Sequence, residues 1–211
     1  QSLTVLRHSA AHIFAQALSR LYPDVNLAIG PPIDTGFYYD FDGAQITKEN
    51  FPEIESEMKK IIKSNYEILR VDVSREEVEE FYSTNPFKLD ILQNEAAEAE
   101  NVSFYTQDDW KDLCKGPHVS STGKVKAIHL LDISAAYWRG DSNNPTLTRV
   151  YGTAFKSQSD LEEFLRLREL VKERDHRKLG QELDLFSIPE ITGPGLPLFH
   201  PNGAYVLILE S

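Results

Sequence analysis

Two short words far apart in the chain constrain it most. Arg7-His8-Ser9-Ala10-Ala11-His12 sets two imidazoles four residues apart, and Cys114-Lys115-Gly116-Pro117-His118 repeats that spacing with a thiol and an imidazole. At about 100° per residue, His8 and His12 share one face of a helix with Ala11, Ala15 and Ser19, while Leu3, Leu6, Ile13, Phe14, Ala17, Leu18 and Leu21 line another. This first helix is therefore expected to bury one side and offer the other. Gly116-Pro117 makes the second word a rigid turn, not a helix, able to aim Cys114 and His118 at a fixed point. We expect the four side chains to converge on one site. As residues, they serve equally as a tetrahedral zinc set or as a general acid/base cluster, and each half taken alone reads as a structural pair.

The chain has 211 residues, enough for one large domain or a domain with an attachment. It opens on Gln1, as expected of a fragment. No apolar run approaches the ~20 residues of a membrane span, so no membrane partner is expected. Cys114 has no second cysteine to pair with, which fits a reducing, cytoplasmic setting and leaves its thiol free for chemistry or metal. A net charge of -11 argues against gripping nucleic acid through an overall positive field, although a local basic groove remains compatible with it. The basic groups at 59–63 and 166–178 are interleaved with acids and read as solvated helical faces.

In order, the pattern predicts a hairpin from strands at Asn26–Ile29 and Phe37–Phe41, with Phe37, Tyr39 and Phe41 on one face. Tyr39 is thus a core aromatic or a hydroxyl aimed into a site. A helix follows over Thr47–Ser64, a strand over Tyr66–Val73, and a short helix opened by the capping box at Ser74. Phe87–Leu92 reads as helix, where residue pattern alone makes Lys88 an ordinary exposed lysine. Strands are expected at Val102–Thr106, Lys126–Ile133 and Leu147–Tyr151, with an acidic loop at Gln107–Asp109. His129 reads as structural and Tyr137–Pro145 as a polar loop of the binding kind. Ser159 and Glu162 cap a helix running to about Arg177. A loop-rich tail with Pro189 and Gly193-Pro194-Gly195 precedes the apolar run Tyr205–Leu209. The alternation indicates an α+β class, an antiparallel sheet flanked by helices.

With these words and their flanks together, the chain resembles the editing domain of bacterial-type threonyl-tRNA synthetases. The resemblance rests on RHSAAH at 7–12, IGPPIDTGFYYDFD at 29–42, DLCKGPH at 112–118, AAYWRGDSNN at 135–144, RVYGTAF at 149–155 and RDHRKLGQELDLF at 174–186. It implies an editing domain over 1–157, a linker helix over 158–179, and the truncated start of a class II catalytic domain over 180–211. There the ending Tyr205–Ser211 departs from the usual charged first class II motif. The implied reaction is hydrolysis of serine misattached to the acceptor end of tRNA(Thr). Carried over by position, His8, His12, Cys114 and His118 hold and deprotonate a water, with or without bound zinc. Lys88 steadies developing negative charge, and Tyr39 and Asp112 position the substrate and its amino group. ATP and Mg2+ are implied only for the catalytic domain outside this chain, and a homodimer only through absent domains. Three other readings stand beside this one: a zinc-stabilised tRNA-binding or interaction module without activity, a free-standing metallohydrolase of small esters, and an alanyl-type trans-editing deacylase.

Overall fold

The computed structural model describes residues 2–95, 101–173, 179–180, 182–187 and 197–210. These fall into two compact units that divide after Leu161.

In the first unit, helix α1 (Leu3–Leu21) starts where the Ser2 hydroxyl accepts the Val5 N–H. It lies against a five-stranded antiparallel sheet ordered β1 (Asn26–Leu27), β3 (Gly36–Asp42), β8 (Thr146–Phe155), β7 (Ala127–Tyr137), with β2 (Pro32–Ile33) also paired to β3. Period-2 alternation in β3 turns Phe37, Tyr39 and Phe41 to one face, and Phe14 of α1 packs on all three at ring separations of 6.3, 6.0 and 6.3 Å. The β3–β8 backbones approach so closely that a Cβ at Gly36 would stand 2.0 Å from the Gly152 carbonyl oxygen. Helix α2 (Phe51–Ser64) buries Phe51, Ile54, Met58 and Ile61 in the same core, and ends at Asn65 in the left-handed conformation that a C-terminal cap requires.

A second antiparallel sheet runs β4 (Ile68–Ser74), β5 (Asn101–Gln107), β6 (Trp110–Leu113). Helices α3 (Arg75–Phe81) and α4 (Pro86–Glu95) close a smaller core on it around Val78, Tyr82, Leu92, Val102 and Phe104. The expected α+β class with antiparallel sheets is observed.

Three expectations change. The helix bearing the histidines offers no open side: from Leu6 to Leu18 every residue except His8 is buried, because sheet, α2 and the β5–β6 hairpin surround it. The acidic loop is a two-residue turn between β5 and a further strand, β6, with Asp108 at φ 57°. Helix α5 (Gln158–Glu173) is capped by Ser157, whose hydroxyl accepts the Asp160 N–H at 3.2 Å, and not by Ser159 with Glu162. Its expected end near Arg177 lies outside the described residues, as do Arg174, Lys178, Pro189 and Gly193–Gly195. In the second unit, β9 (Phe186–Ser187) pairs antiparallel with β10 (Leu198–Phe199) ahead of α6 (Pro201–Glu210), and the His200 ring bridges Asp184 and Ser187 at 2.6 and 3.0 Å. Among the described residues no helix is long and apolar enough to cross a membrane.

His129 is structural, as expected: its ring and the Leu130 N–H both donate to Glu55 at 2.8 Å. Burial alone would raise the Glu55 pKa, but these hydrogen bonds and the charges of His129 and Lys59 outweigh it and leave the pKa below the ordinary value. A carboxylate depressed in the fold stabilises above its unfolded pKa and loses that stabilisation as pH falls through the folded one. Glu55→Gln should therefore cost about 1 kcal/mol at pH 7, with the gap to the parent closing as pH falls below the ordinary glutamate value of 4.5, as read by urea unfolding across that range. Phe14→Ala, which empties the space over three aromatic rings, should cost about 3–5 kcal/mol in the same assay.

Candidate functional site

The two words of the sequence meet because α1 runs beside the segment leaving β6. Cys114 Sγ lies 3.3 Å from His8 Nε2 and 3.2 Å from His118 Nε2, and accepts the Gly116 N–H at 3.2 Å. The His12 ring centroid is 4.1 Å from that of His118, and one ligand atom from each of the four residues lies within 4.8 Å of the others.

Neighbours fix the tautomers. The Ser9 hydroxyl donates to the Val5 carbonyl at 3.0 Å and accepts the Val119 N–H at 3.0 Å, so the contact at 3.1 Å requires His118 Nδ1 to donate. His8 Nδ1 likewise donates to the Pro117 carbonyl at 3.3 Å. Both Nε2 lone pairs therefore face Cys114. Among the described residues, His12 Nδ1 is buried with no hydrogen-bond partner.

A donor set of three imidazoles and a thiol, one imidazole nitrogen of it orphaned, suits zinc. The Sγ–Nε2 separations are close to the roughly 3.5 Å that tetrahedral Zn–S and Zn–N bonds impose. Burial holds the His8, His12 and His118 pKa values below the ordinary imidazole value, so the rings are neutral, and it pushes the Cys114 thiol up to about 11.

Beside this cluster stands a buried ion pair. Lys88 Nζ is 2.5 Å from Asp112 Oδ1, and both side chains are under 5% exposed. Lys88 is thus not the exposed lysine that residue pattern suggested. The Asn85 side chain accepts the Phe87 and Lys88 N–H groups and donates to the Leu27 carbonyl, which docks the first turn of α4 inward. Tyr39 combines both of its expected roles, with its ring in the core and its hydroxyl donating to Asp112 Oδ2 at 3.0 Å.

His8, His12, Tyr39, Lys88, Asp112 and Cys114 line one cavity of about 490 Å³, while His118 is not in its wall and reaches it only through Cys114. The Tyr137–Pro145 loop does not enter it. Its Trp138 and Arg139 instead donate to Asp90 at 3.0 and 2.6 Å and clasp α4 from outside.

Sequence reading missed three neighbours: Ser9, Tyr82, which donates to Asp112 at 2.8 Å, and Tyr105, whose ring lies 4.5 Å from that of His118. Ser9 carried a usable signal, a polar residue within the RHSAAH word itself. Tyr82 carried none, since its role depends on where α3 ends.

A cluster of this kind, three imidazoles and a thiol between a histidine helix and a small antiparallel sheet, is a candidate hydrolytic or metal-binding centre. Residues 102–151 match the family described as the threonyl and alanyl tRNA synthetase second additional domain, a stretch that includes Asp112, Cys114 and His118. The whole chain is a homologue of a segment of threonine–tRNA ligase: it is 64% identical to the enzyme of Natronomonas pharaonis over 205 residues and 50% identical to that of Streptococcus sanguinis over 207. Each match covers 97% of this chain and 32% of the relative, so the chain spans about a third of the length of the relatives it matches.

Ser9→Ala, which frees the His118 ring, should weaken Zn2+ or Co2+ binding by about tenfold in a chelator-competition titration. Cys114→Ser should abolish the thiolate-to-cobalt absorption altogether.

Proposed function

We propose that this chain is a hydrolytic editing domain that removes serine wrongly esterified to the acceptor end of tRNA(Thr), in the cytoplasm. One observation carries the reading: a single cavity joins neutral imidazoles and a thiol to a buried ammonium–carboxylate pair. The need is physical. Serine lacks one methyl of threonine, and a synthetic pocket tells such a pair apart by only about 1–3 kcal/mol, so a second sieve is required.

In the cavity wall, the neutral imidazole of His8 presents an unprotonated Nε2, able to orient a water and take its proton as it attacks the ester carbonyl, while His118 outside that wall holds Cys114 through its own Nε2. The Lys88 ammonium, buried in the same cavity wall, offsets the negative charge growing on the carbonyl oxygen. Tyr39 and Asp112 orient the aminoacyl group. A thiol raised to about 11 holds little thiolate near neutrality, so water and not Cys114 is the favoured nucleophile. His8, His12, Cys114 and His118 would together hold zinc in a closed tetrahedral site, and zinc held by three of them would supply an acidified water at the fourth position.

In the same reading, residues 1–157 form the editing domain, 158–179 a linker helix, and 180–211 the start of a class II catalytic domain. ATP, Mg2+ and dimerisation then belong to the remainder of the full-length protein.

The decisive assay is deacylation of seryl- and threonyl-tRNA(Thr) side by side at high protein concentration. Serine should be released and threonine spared, while His118→Ala and Lys88→Ala each slow release by at least about a hundredfold with the fold intact. Equal loss of both amino acids would remove the sieve from the reading, and survival of both esters with folded protein would favour a binding module.

A further inference from the structure

Strand β4 is an open edge of the second sheet, whose order is β4, β5, β6. Its Ile68 N–H donates to the Ser120 carbonyl at 3.0 Å, away from β5, and the alternation of an antiparallel strand sends the N–H and C=O of Arg70 and Asp72 the same way. Among the described residues no backbone hydrogen bond reaches them there. The free edge is thus 69–73: Ser120 closes it at Ile68, and Ser74 turns the chain into α3 by accepting the Glu77 N–H.

This stretch lacks the usual protections of an edge. It has no proline, its register on β5 is unbroken, and its charges are one of each sign. Leu69 and Val71 lie on the side of the sheet where Val102 and Phe104 close the smaller core, yet they are 53% and 42% exposed. On the other side Arg70 Nε donates to Asp72 Oδ1 at 2.9 Å, with both side chains exposed.

Register decides what such an edge can pair with. A two-fold axis perpendicular to the sheet keeps every residue on its own face, so the axis must pass through a residue. Through Arg70 or Asp72 it would set like charges directly opposite each other. Through Leu69 or Val73 the pairing would run into Ser120 or α3. Through Val71, the centre of 69–73, Arg70 opposes the partner's Asp72 at each hydrogen-bonded pair and Leu69 opposes the partner's Val73. The two Val71 side chains then meet at a non-hydrogen-bonded pair, where opposed side chains come closest.

We propose that β4 is a self-pairing edge: two copies of this chain join antiparallel along 69–73 about a two-fold axis at Val71, doubling the three-stranded sheet. A ring of alternating charge lies across one face of the joint, and the exposed Leu69 and Val71 are covered on the other. Because Arg70 also lines the cavity, the dimer brings the partner's Asp72 to that wall.

Sedimentation equilibrium of the 211-residue chain should show the mass rising from 24.0 kDa toward twice that value as concentration approaches about 1 mM, since a short paired strand gives weak association. A mass constant at 24.0 kDa throughout would leave the edge to some other strand and overturn the proposal. Asp72→Arg and Arg70→Asp each set like charges opposite one another, and each should weaken self-association by at least about tenfold with the circular dichroism unchanged. Mixed together, the two variants should recover a dimer at least as strong as the parent's, because every arginine then faces an aspartate across the joint. The double variant Arg70→Asp with Asp72→Arg reverses both charges, keeps the register and should also dimerise. Single variants that associate as the parent does would move the contact elsewhere on the molecule, and a mixture or double variant that stays monomeric would remove the register; either result overturns the proposal.

Discussion

A buried carboxylate at position 112 is the constraint on which the site depends. An ionised group at 3% exposure is tolerable only when donors surround it, and here each donor comes from a different element: Tyr39 from β3, Tyr82 from the end of α3, Lys88 from α4. The two sheets of the first unit are separate hydrogen-bonded systems, and Asp112 joins them, since it sits on β6 while Tyr39 sits on β3. Satisfying one charge thus fixes the distance between the sheets and, with it, the width of the cavity.

The same economy governs α1. A helix enclosed on nearly every side cannot present its histidines by exposure, so the cavity reaches the helix instead. Small residues make this feasible: Ala10, Ala11, Ala15 and Ala17 are all fully buried and let neighbouring elements approach the backbone closely. The imidazoles are then fixed from both ends, by the Pro117 carbonyl and Ser9 on the Nδ1 side and by Cys114 on the Nε2 side. Arrangement by outer partners is what gives a ligand or a base a defined lone pair direction.

The sequence made the polar words legible and left their supports hidden. His8, His12, Cys114 and His118 are brought together as their spacings suggested, because four-residue periodicity and a Gly-Pro turn are local properties. The strand alternation of Phe37, Tyr39 and Phe41 was equally local, and Phe14 confirms it by touching all three rings. Lys88 was misread from pattern alone, since a lysine beside Phe87 and Leu89 carries no mark of the Asn85 bond that turns it inward. Strand β6 escaped because Asp108-Asp109 lacks the glycine of a usual two-residue hairpin, its positive φ being met by an aspartate. The all-round burial of α1 escaped for the same reason as Tyr82. Both depend on partners distant in sequence, which one helix's periodicity does not encode.

Cavity size alone does not account for the selectivity that the proposed chemistry needs. A space of about 490 Å³ takes a nucleoside with its amino acid, and one methyl more is a small fraction of it. Discrimination must instead come from a wall that does not yield where the side chain lies. Tyr39 is the wall residue best held in place. Its hydroxyl is pinned by Asp112, and its ring lies so close to Gly30 that a Cβ there would sit 2.1 Å from it. Phe14 also packs against this ring, at 6.0 Å. A ring clamped by hydrogen bond, backbone and core cannot move aside for a methyl group without disturbing the Asp112 network, so under the editing reading the rejection of threonine and the orientation of the substrate draw on one set of contacts.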